Sequence, residues 1–254
     1  MIPSLGMKYN LVFLDTETTG NGPQDRLCQL SYKRSTDTYD SMVDELFKPP
    51  MPIPVEAMAI HHVTNRMVAD KPAFLDSPLY PEIKKFLEDP LTVIVAHNAP
   101  FDRGILEHED IHATSWIDTL RIMRFLDPTM IVPRQNLQYL RYLLELDTDS
   151  DIVINPHDAK SDVIIVELLF RRFFTKMKEK TPEKSDDEIV DDMITISKTP
   201  ALIAKFTFGK YKDKRVEEVA QQDPGYLQWL LEQKKNSDNN EEDWIHTLEH
   251  FLKT

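Results

Sequence analysis

Five side chains of this sequence could together handle a phosphodiester. Asp15 and Glu17 lie in Asp15-Thr16-Glu17-Thr18-Thr19-Gly20. Asp102 closes His97-Asn98-Ala99-Pro100-Phe101-Asp102. His157 and Asp162 bracket His157-Asp158-Ala159-Lys160-Ser161-Asp162. Carboxylates two apart on an extended segment share a face and repel each other unless they are protonated or bound to cations. Hard oxygen ligands suit Mg²⁺ or Mn²⁺ rather than zinc. Two such ions roughly 3.5–4 Å apart clamp the attacking and leaving oxygens of a phosphodiester. Asp102 and Asp162 complete a cage of four acids. His157 has the near-neutral pKa that suits a base taking the proton from the attacking water.

Each piece alone also has a plain explanation. Asp-x-Glu at a strand edge suits solvated surface, Asp102 suits the N-terminal dipole of a helix, and His157-Asp158 suits a helix cap. The reading rests on the set, because each member falls where one element ends and another begins.

Those elements follow from hydrophobic periodicity. Residues 9–15, 27–33 and 41–48 read as strands, the last stopped by Pro49-Pro50. Helical patterns cover about 54–60, 64–69 and 78–88. Residues 91–96 are a β-branched run and read as a buried strand. A helix follows over about 99–109, a short strand over 113–117, and helices over 118–126 and 135–145. From Asp158 to Met177 the apolar residues Val163, Val166, Leu169, Phe170 and Phe173 define one long amphipathic helix. Three early strands followed by alternating helix and strand imply an α/β domain with a mixed sheet flanked by helices.

Composition then changes. Residues 182–193 hold six acids against one lysine and read as a solvated helix or linker marking a boundary. Residues 205–215 hold five basic residues against one acid, interleaved with Phe206, Phe208 and Tyr211. A helix over about 224–234 carries Tyr226, Leu227, Trp229 and Leu230, and the tail beyond Asn236 is polar and acidic as far as Trp244. The division is therefore residues 8–178 as the main domain, 179–197 as an acidic linker or helix, and 198–254 as a small α+β module. That module has two readings. Lys210, Lys212, Lys214 and Arg215 could contact nucleic-acid phosphates, or it could dock a protein. The aromatic residues are expected to form its core.

The net charge of −13 opposes non-specific attraction to nucleic acid, but acids holding divalent cations no longer count as bare charge. The single cysteine, Cys28, sits in an apolar run and excludes an internal disulfide framework. With no signal peptide and no membrane-spanning stretch in sight, a cytoplasmic, reducing location is expected. There are no internal repeats.

The three motifs resemble those of the DEDDh 3′–5′ exonucleases, with all five signature positions matched in the histidine variant. Ala57-Met58-Ala59-Ile60-His61-His62-Val63-Thr64, Met67-Val68-Ala69-Asp70-Lys71-Pro72, Phe206-Thr207-Phe208-Gly209-Lys210-Tyr211 and Asp223-Pro224-Gly225-Tyr226-Leu227 with Trp229-Leu230 resemble the exonuclease X branch. The resemblance spans roughly residues 8–235 and is weakest at 178–196. It implies an RNase H-like fold, dependence on two divalent ions (Mg²⁺ or Mn²⁺) and release of 5′-mononucleotides from a 3′ end. Carried over by position, Asp15, Glu17 and Asp162 would be direct ligands and Asp102 would hold the second ion. His157 would be the general base, and Thr16 and Thr18 would lie against the terminal nucleotide. His61, Asn98 and Phe101 would neighbour the substrate, although a core phenylalanine, a satisfied helix-end histidine and a turn asparagine are the stronger readings of them. The expected partner is DNA at single-stranded or frayed 3′ ends, with a polymerase or repair protein as a possible second partner. The rival expectations are an RNA or oligoribonucleotide exonuclease of the same chemistry and a non-catalytic adaptor.

Overall fold

The computed structural model describes residues 7–132, 134–146, 158–237 and 241–253. The strands are β1 (Asn10–Thr18), β2 (Leu27–Arg34), β3 (Val43–Leu46), β4 (Thr92–Ala96) and β5 (Trp116–Asp118). The helices are α1 (Val55–His61), α2 (Asn65–Val68), α3 (Tyr80–Leu87), α4 (Ala99–His108), α5 (Thr119–Leu126), α6 (Leu137–Leu143), α7 (Ala159–Lys180), α8 (Asp186–Lys198), α9 (Val216–Gln222), α10 (Pro224–Lys235) and α11 (Glu242–Lys253).

The strands form one mixed sheet in the order β3-β2-β1-β4-β5. The β1–β2 and β2–β3 pairs are antiparallel, whereas β1–β4 and β4–β5 are parallel. Alternation along β1 sends Leu11 and Phe13 to one face, where they pack with Val163, Val166 and Phe170 of α7. Val12 and Leu14 go to the other face, with Ala99, Ile105 and Leu106 of α4. The central strand is thus sandwiched, and the two helices that must supply Asp162 and Asp102 lie on opposite faces of it.

One ionic contact secures α7. Lys33 of β2 and Glu167 of α7 are 3% and 1% exposed and pair at 3.1 Å, and Arg171 also donates to Glu167. A buried pair of this kind contributes mainly by fixing geometry, because desolvation offsets much of its attraction.

The acidic stretch after α7 departs from expectation. It is helical, and Ser185 caps α8 in a reciprocal pair with Glu188, but it is not a solvated linker. Ile189, Val190, Met193 and Ile194 are buried in the same core as α7. The acids that dominate its composition occupy only the outer side, so average charge hid an amphipathic helix.

The C-terminal residues build a separate small core of Phe206, Val216, Val219, Leu227, Leu230 and Leu248. The polar tail ends in α11, which the composition of 236–244 concealed. This helix ties the C-terminal region to the main domain. Arg121 of α5, 5% exposed, donates to Glu242 at 2.7 Å and to the carbonyl of Ser197 at 2.7 Å, and Arg124 pairs with Asp243. Among the described residues no helix is long and apolar enough to cross a membrane.

Candidate active site

The site forms where β1 outruns its parallel neighbour. Pairing between β1 and β4 ends at Phe13–Val95, whereas pairing with β2 continues past Asp15 and Glu17 to a bulge before Thr18. One edge of β1 is therefore open at Asp15 and Glu17. The same alternation that points Phe13 at α7 points these two carboxylates there. Asp162 meets them from the first turn of α7. Asp158 caps that helix, accepting from the Ser161 amide at 3.3 Å and its hydroxyl at 2.8 Å. Carboxylate oxygens of Asp15, Glu17 and Asp162 lie within 4.8 Å of one another.

Asp102 arrives from the opposite face, on α4. It is 3% exposed and accepts from Thr16 Oγ1 at 2.8 Å. Thr16 points away from Asp15 and Glu17, toward α4, so it links the fourth acid to the strand bearing the first two. The Thr16 hydroxyl is therefore engaged with Asp102.

The start of α4 is held by Asn98 in a left-handed conformation, φ 67°. Asp118 accepts from the Asn98 amide at 2.9 Å and from the Leu120 amide at 2.9 Å. Asn98 is thus the turn residue that launches the helix carrying Asp102, with an exposed side chain. His97, next to it, bonds the Thr119 hydroxyl at 2.9 Å and the Gln135 carbonyl at 2.6 Å, and burial lowers its pKa to about 4.

Among the described residues none of the four carboxylates has a lysine or arginine within ion-pair distance. Burial raises Asp15 well above the carboxylate range, and Asp102, Glu17 and Asp162 add to the effect. Burial, then Asp162 and Asp102, pushes Glu17 up to about 8. Burial lifts Asp102 to about 7 against the Thr16 hydrogen bond that lowers it. Asp162 rises to about 6, again chiefly by burial, while the Gln138 amide, donating at 3.1 Å, opposes the rise. A converging all-oxygen set in which each negative charge disfavours the others is what a divalent cation relieves. These residues therefore fit a hard metal ion.

A cleft of about 480 Å³ opens beside the acids and is lined by Glu17, Thr18, Asn21, Ile60, His61 and Phe101 among others. Phe101, half-buried, lines this space. His61 is not free to reach a ligand. It is 6% exposed, its Nδ1 accepts from the Val63 amide at 3.0 Å, and its Nε2 bonds the Thr18 carbonyl at 3.1 Å. With one nitrogen accepting, the other carries the proton, so the ring is a neutral strut bracing the end of β1. Burial lowers its pKa in keeping with this. His157 lies outside the described residues.

Gln138 of α6 is a site neighbour with no sequence signal. Asn136 caps α6 by accepting from the Tyr139 amide at 2.9 Å, and this orients Gln138 toward Asp162. Among the described residues its Oε1 is buried without a protein partner.

In the C-terminal region Lys210 pairs with Asp223 at 3.1 Å and Arg215 lies 3.9 Å from Glu217. Lys212 and Lys214 are exposed and have no ion pair among the described residues. Phe206 is core at 1% exposed, and Phe208 and Tyr226 are half-buried. Trp229 departs from the core expectation at 52% exposed.

A mixed sheet with carboxylates gathered where its central strand outruns its neighbour, backed by helices on both faces, defines the RNase H-like exonuclease fold. A family model described as Exonuclease matches residues 12–170, and one described as Exodeoxyribonuclease X-like C-terminal matches residues 206–235. The chain belongs to the exonuclease family, within the DnaQ-like superfamily. Exodeoxyribonuclease 10 of Escherichia coli strain K12 is 32% identical over 247 residues, which cover 95% of this chain and 98% of that protein. A solved structure of exonuclease X in complex with 5′ overhanging duplex DNA matches with a TM-score of 0.53 at 25% identity, over 74% of this chain and 99% of that one. Cell-death related nuclease 4 shares the fold, with a TM-score of 0.50 at 14% identity over 66% of this chain and 64% of its own.

Proposed function

We propose that this protein is a 3′–5′ exodeoxyribonuclease that removes 5′-mononucleotides from DNA ends in repair or degradation, using two divalent ions, Mg²⁺ or Mn²⁺. The observation that carries the reading is the cluster of Asp15, Glu17 and Asp162, unpaired with any lysine or arginine among the described residues, with Asp102 braced behind it by Thr16. The Escherichia coli relative, named as an exodeoxyribonuclease along nearly its full length, supports DNA as substrate. The duplex with a 5′ overhang in the exonuclease X complex, which leaves a recessed 3′ end, supports action at duplex ends as well as single strands.

When bound, the ions would supply activation of water and charge neutralisation at the scissile phosphate. The chain's own residues would do the rest. Asp15, Glu17 and Asp162 hold cations directly, Asp102 holds the second one, and Thr16 fixes the Asp102 carboxylate. Gln138 restrains Asp162. Thr18 and Phe101 border the cleft that would take the terminal nucleotide, and His61 acts by positioning Thr18. His157, five residues before Asp162, is the proposed base for the attacking water.

The test is degradation of oligonucleotides labelled at either end, as DNA and as RNA, with Mn²⁺, Mg²⁺ or EDTA. The expected result is early release of labelled mononucleotide from the 3′-labelled DNA only. A ladder that starts at the 5′ end would refute the polarity. Preference for RNA would transfer the reading to an RNA exonuclease, and absence of release by the folded, metal-loaded protein would favour the adaptor reading.

A further inference from the structure

The C-terminal hairpin leaves a row of aromatic rings at the surface. Phe206 accepts from the Asp213 amide at 2.7 Å and donates to the Lys214 carbonyl at 2.9 Å, closing residues 206–214 into a tight loop. Gly209 turns its tip at φ +70°, where an added Cβ would meet the Tyr226 hydroxyl at 3.0 Å, so the tip is seated closely on α10. Tyr211 from the tip packs edge-on against Tyr226 at 4.9 Å, and Tyr226 continues to Trp229 at 5.6 Å. Asp223 ties the two parts together by capping α10 and accepting from the Tyr211 hydroxyl at 2.6 Å. The row is held from both sides, yet its last member, Trp229, is 52% exposed.

The core does not need that indole, since Phe206, Leu227 and Leu230 already fill the space beneath. A single exposed apolar side chain needs no explanation. A rigid file of rings ending in an exposed tryptophan, next to a hairpin bearing the exposed Lys212 and Lys214, is a different kind of surface. Residues 205–215 carry five cations and one anion in a chain of net charge −13. This local reversal of sign favours a polyanion over the rest of the surface. Lys210, already neutralised by Asp223, is left out of the contact set.

We propose that Tyr226 and Trp229, with Lys212 and Lys214, form a platform for single-stranded DNA, on which bases stack on the indole and phosphates pair with the two lysines. The platform would hold the strand away from the acids while the 3′ end is processed. It rests on the exonuclease reading for its purpose but not for its test.

The test is binding of a 20-nucleotide oligothymidylate to the full chain in EDTA, where no cleavage occurs, followed by quenching of tryptophan fluorescence. Of the three tryptophans, Trp116 is buried at 8% exposed and Trp244 is half-buried and stacked on Phe206 at 5.3 Å, so Trp229 is the one most open to a base. Wild type is expected to quench on binding. Trp229→Ala should lose most of the quenching and bind about tenfold more weakly, the lower range of one stacked base. Trp229→Phe, which keeps a ring and the fold, should retain much of the affinity while losing the signal. Lys212→Gln with Lys214→Gln should reduce the slope of log affinity against log salt by about 1.4. Unchanged affinity in Trp229→Ala together with an unchanged salt slope in the lysine pair would overturn the platform. Failure of the exonuclease reading would appear separately, as absent cleavage with metal.

Discussion

Replacing Glu17 with glutamine should make the metal-free protein more stable while depriving the loaded protein of its cation. Burial, then the neighbouring Asp162 and Asp102, raises the Glu17 carboxyl from its usual 4.5 to about 8. A carboxyl with a folded pKa above its unfolded one binds its proton more tightly in the native state. Stability from this group is therefore full below pH 4.5 and lost as pH rises toward 8. At pH 7 the loss amounts to about 3 kcal/mol, which glutamine, uncharged and of the same shape, avoids. For a chain of this size that corresponds to a Tm rise of roughly 6–12 °C in EDTA. At pH 5 the difference should shrink below about 1 kcal/mol. Thermal unfolding of both proteins in EDTA, and again with Mn²⁺, reads both halves: wild type should gain stability with Mn²⁺, and Glu17→Gln should gain far less. A variant that is no more stable than wild type at pH 7 in EDTA would refute the claim that the site is an uncompensated cluster of charge.

Three further outcomes follow from parts of the fold that carry the site. His97, lowered to about 4 by burial, should remain neutral at pH 5.5 by imidazole NMR. Because a buried neutral histidine binds protons less readily than the unfolded chain, stability should fall by roughly 2–3 kcal/mol between pH 6.5 and 4. A charged His97 at pH 5.5 in folded protein would contradict this. Lys33→Met should destabilise the protein in denaturant unfolding by less than the roughly 3–5 kcal/mol of a fully stranded buried charge, because Arg171 still donates to Glu167. Lys33→Met combined with Glu167→Leu should recover much of that, and equal loss in both would deny the pair its role. Cys28, 0% exposed and pushed up to about 12 chiefly by burial, should resist alkylation at pH 8 until the protein unfolds, as a mass measurement would show.

Much of the main domain was legible because its elements are long runs of one period. The apolar run before Asp15, the β-branched run before His97 and the spaced apolar positions of α7 each announced an element and where it ended. Asp15, Glu17 and Asp162 fell at those ends and converge as expected. Other features escaped for physical reasons. Sequence spacing does not say which face of a sheet a helix covers, so the arrival of Asp102 from the far side, held by the inward-facing Thr16, was invisible, as was Gln138. Composition averages over the faces of a helix, so the acids of α8 masked its buried Ile189, Val190, Met193 and Ile194. Trp229 was expected in the core from the spacing of the aromatics, but its neighbours Leu227 and Leu230 fill that role and leave it outside.

The most direct test of the central claim is a count of bound metal. Mn²⁺ binding should be followed by electron paramagnetic resonance in the presence of a mononucleotide 5′-phosphate, in wild type and in Asp15→Asn. The account predicts two ions per wild-type chain and loss of at least one in the variant, with its fold intact by circular dichroism. Wild-type protein that binds no Mn²⁺, or an Asp15→Asn variant that binds the full complement, would contradict the assignment of these acids as the metal site.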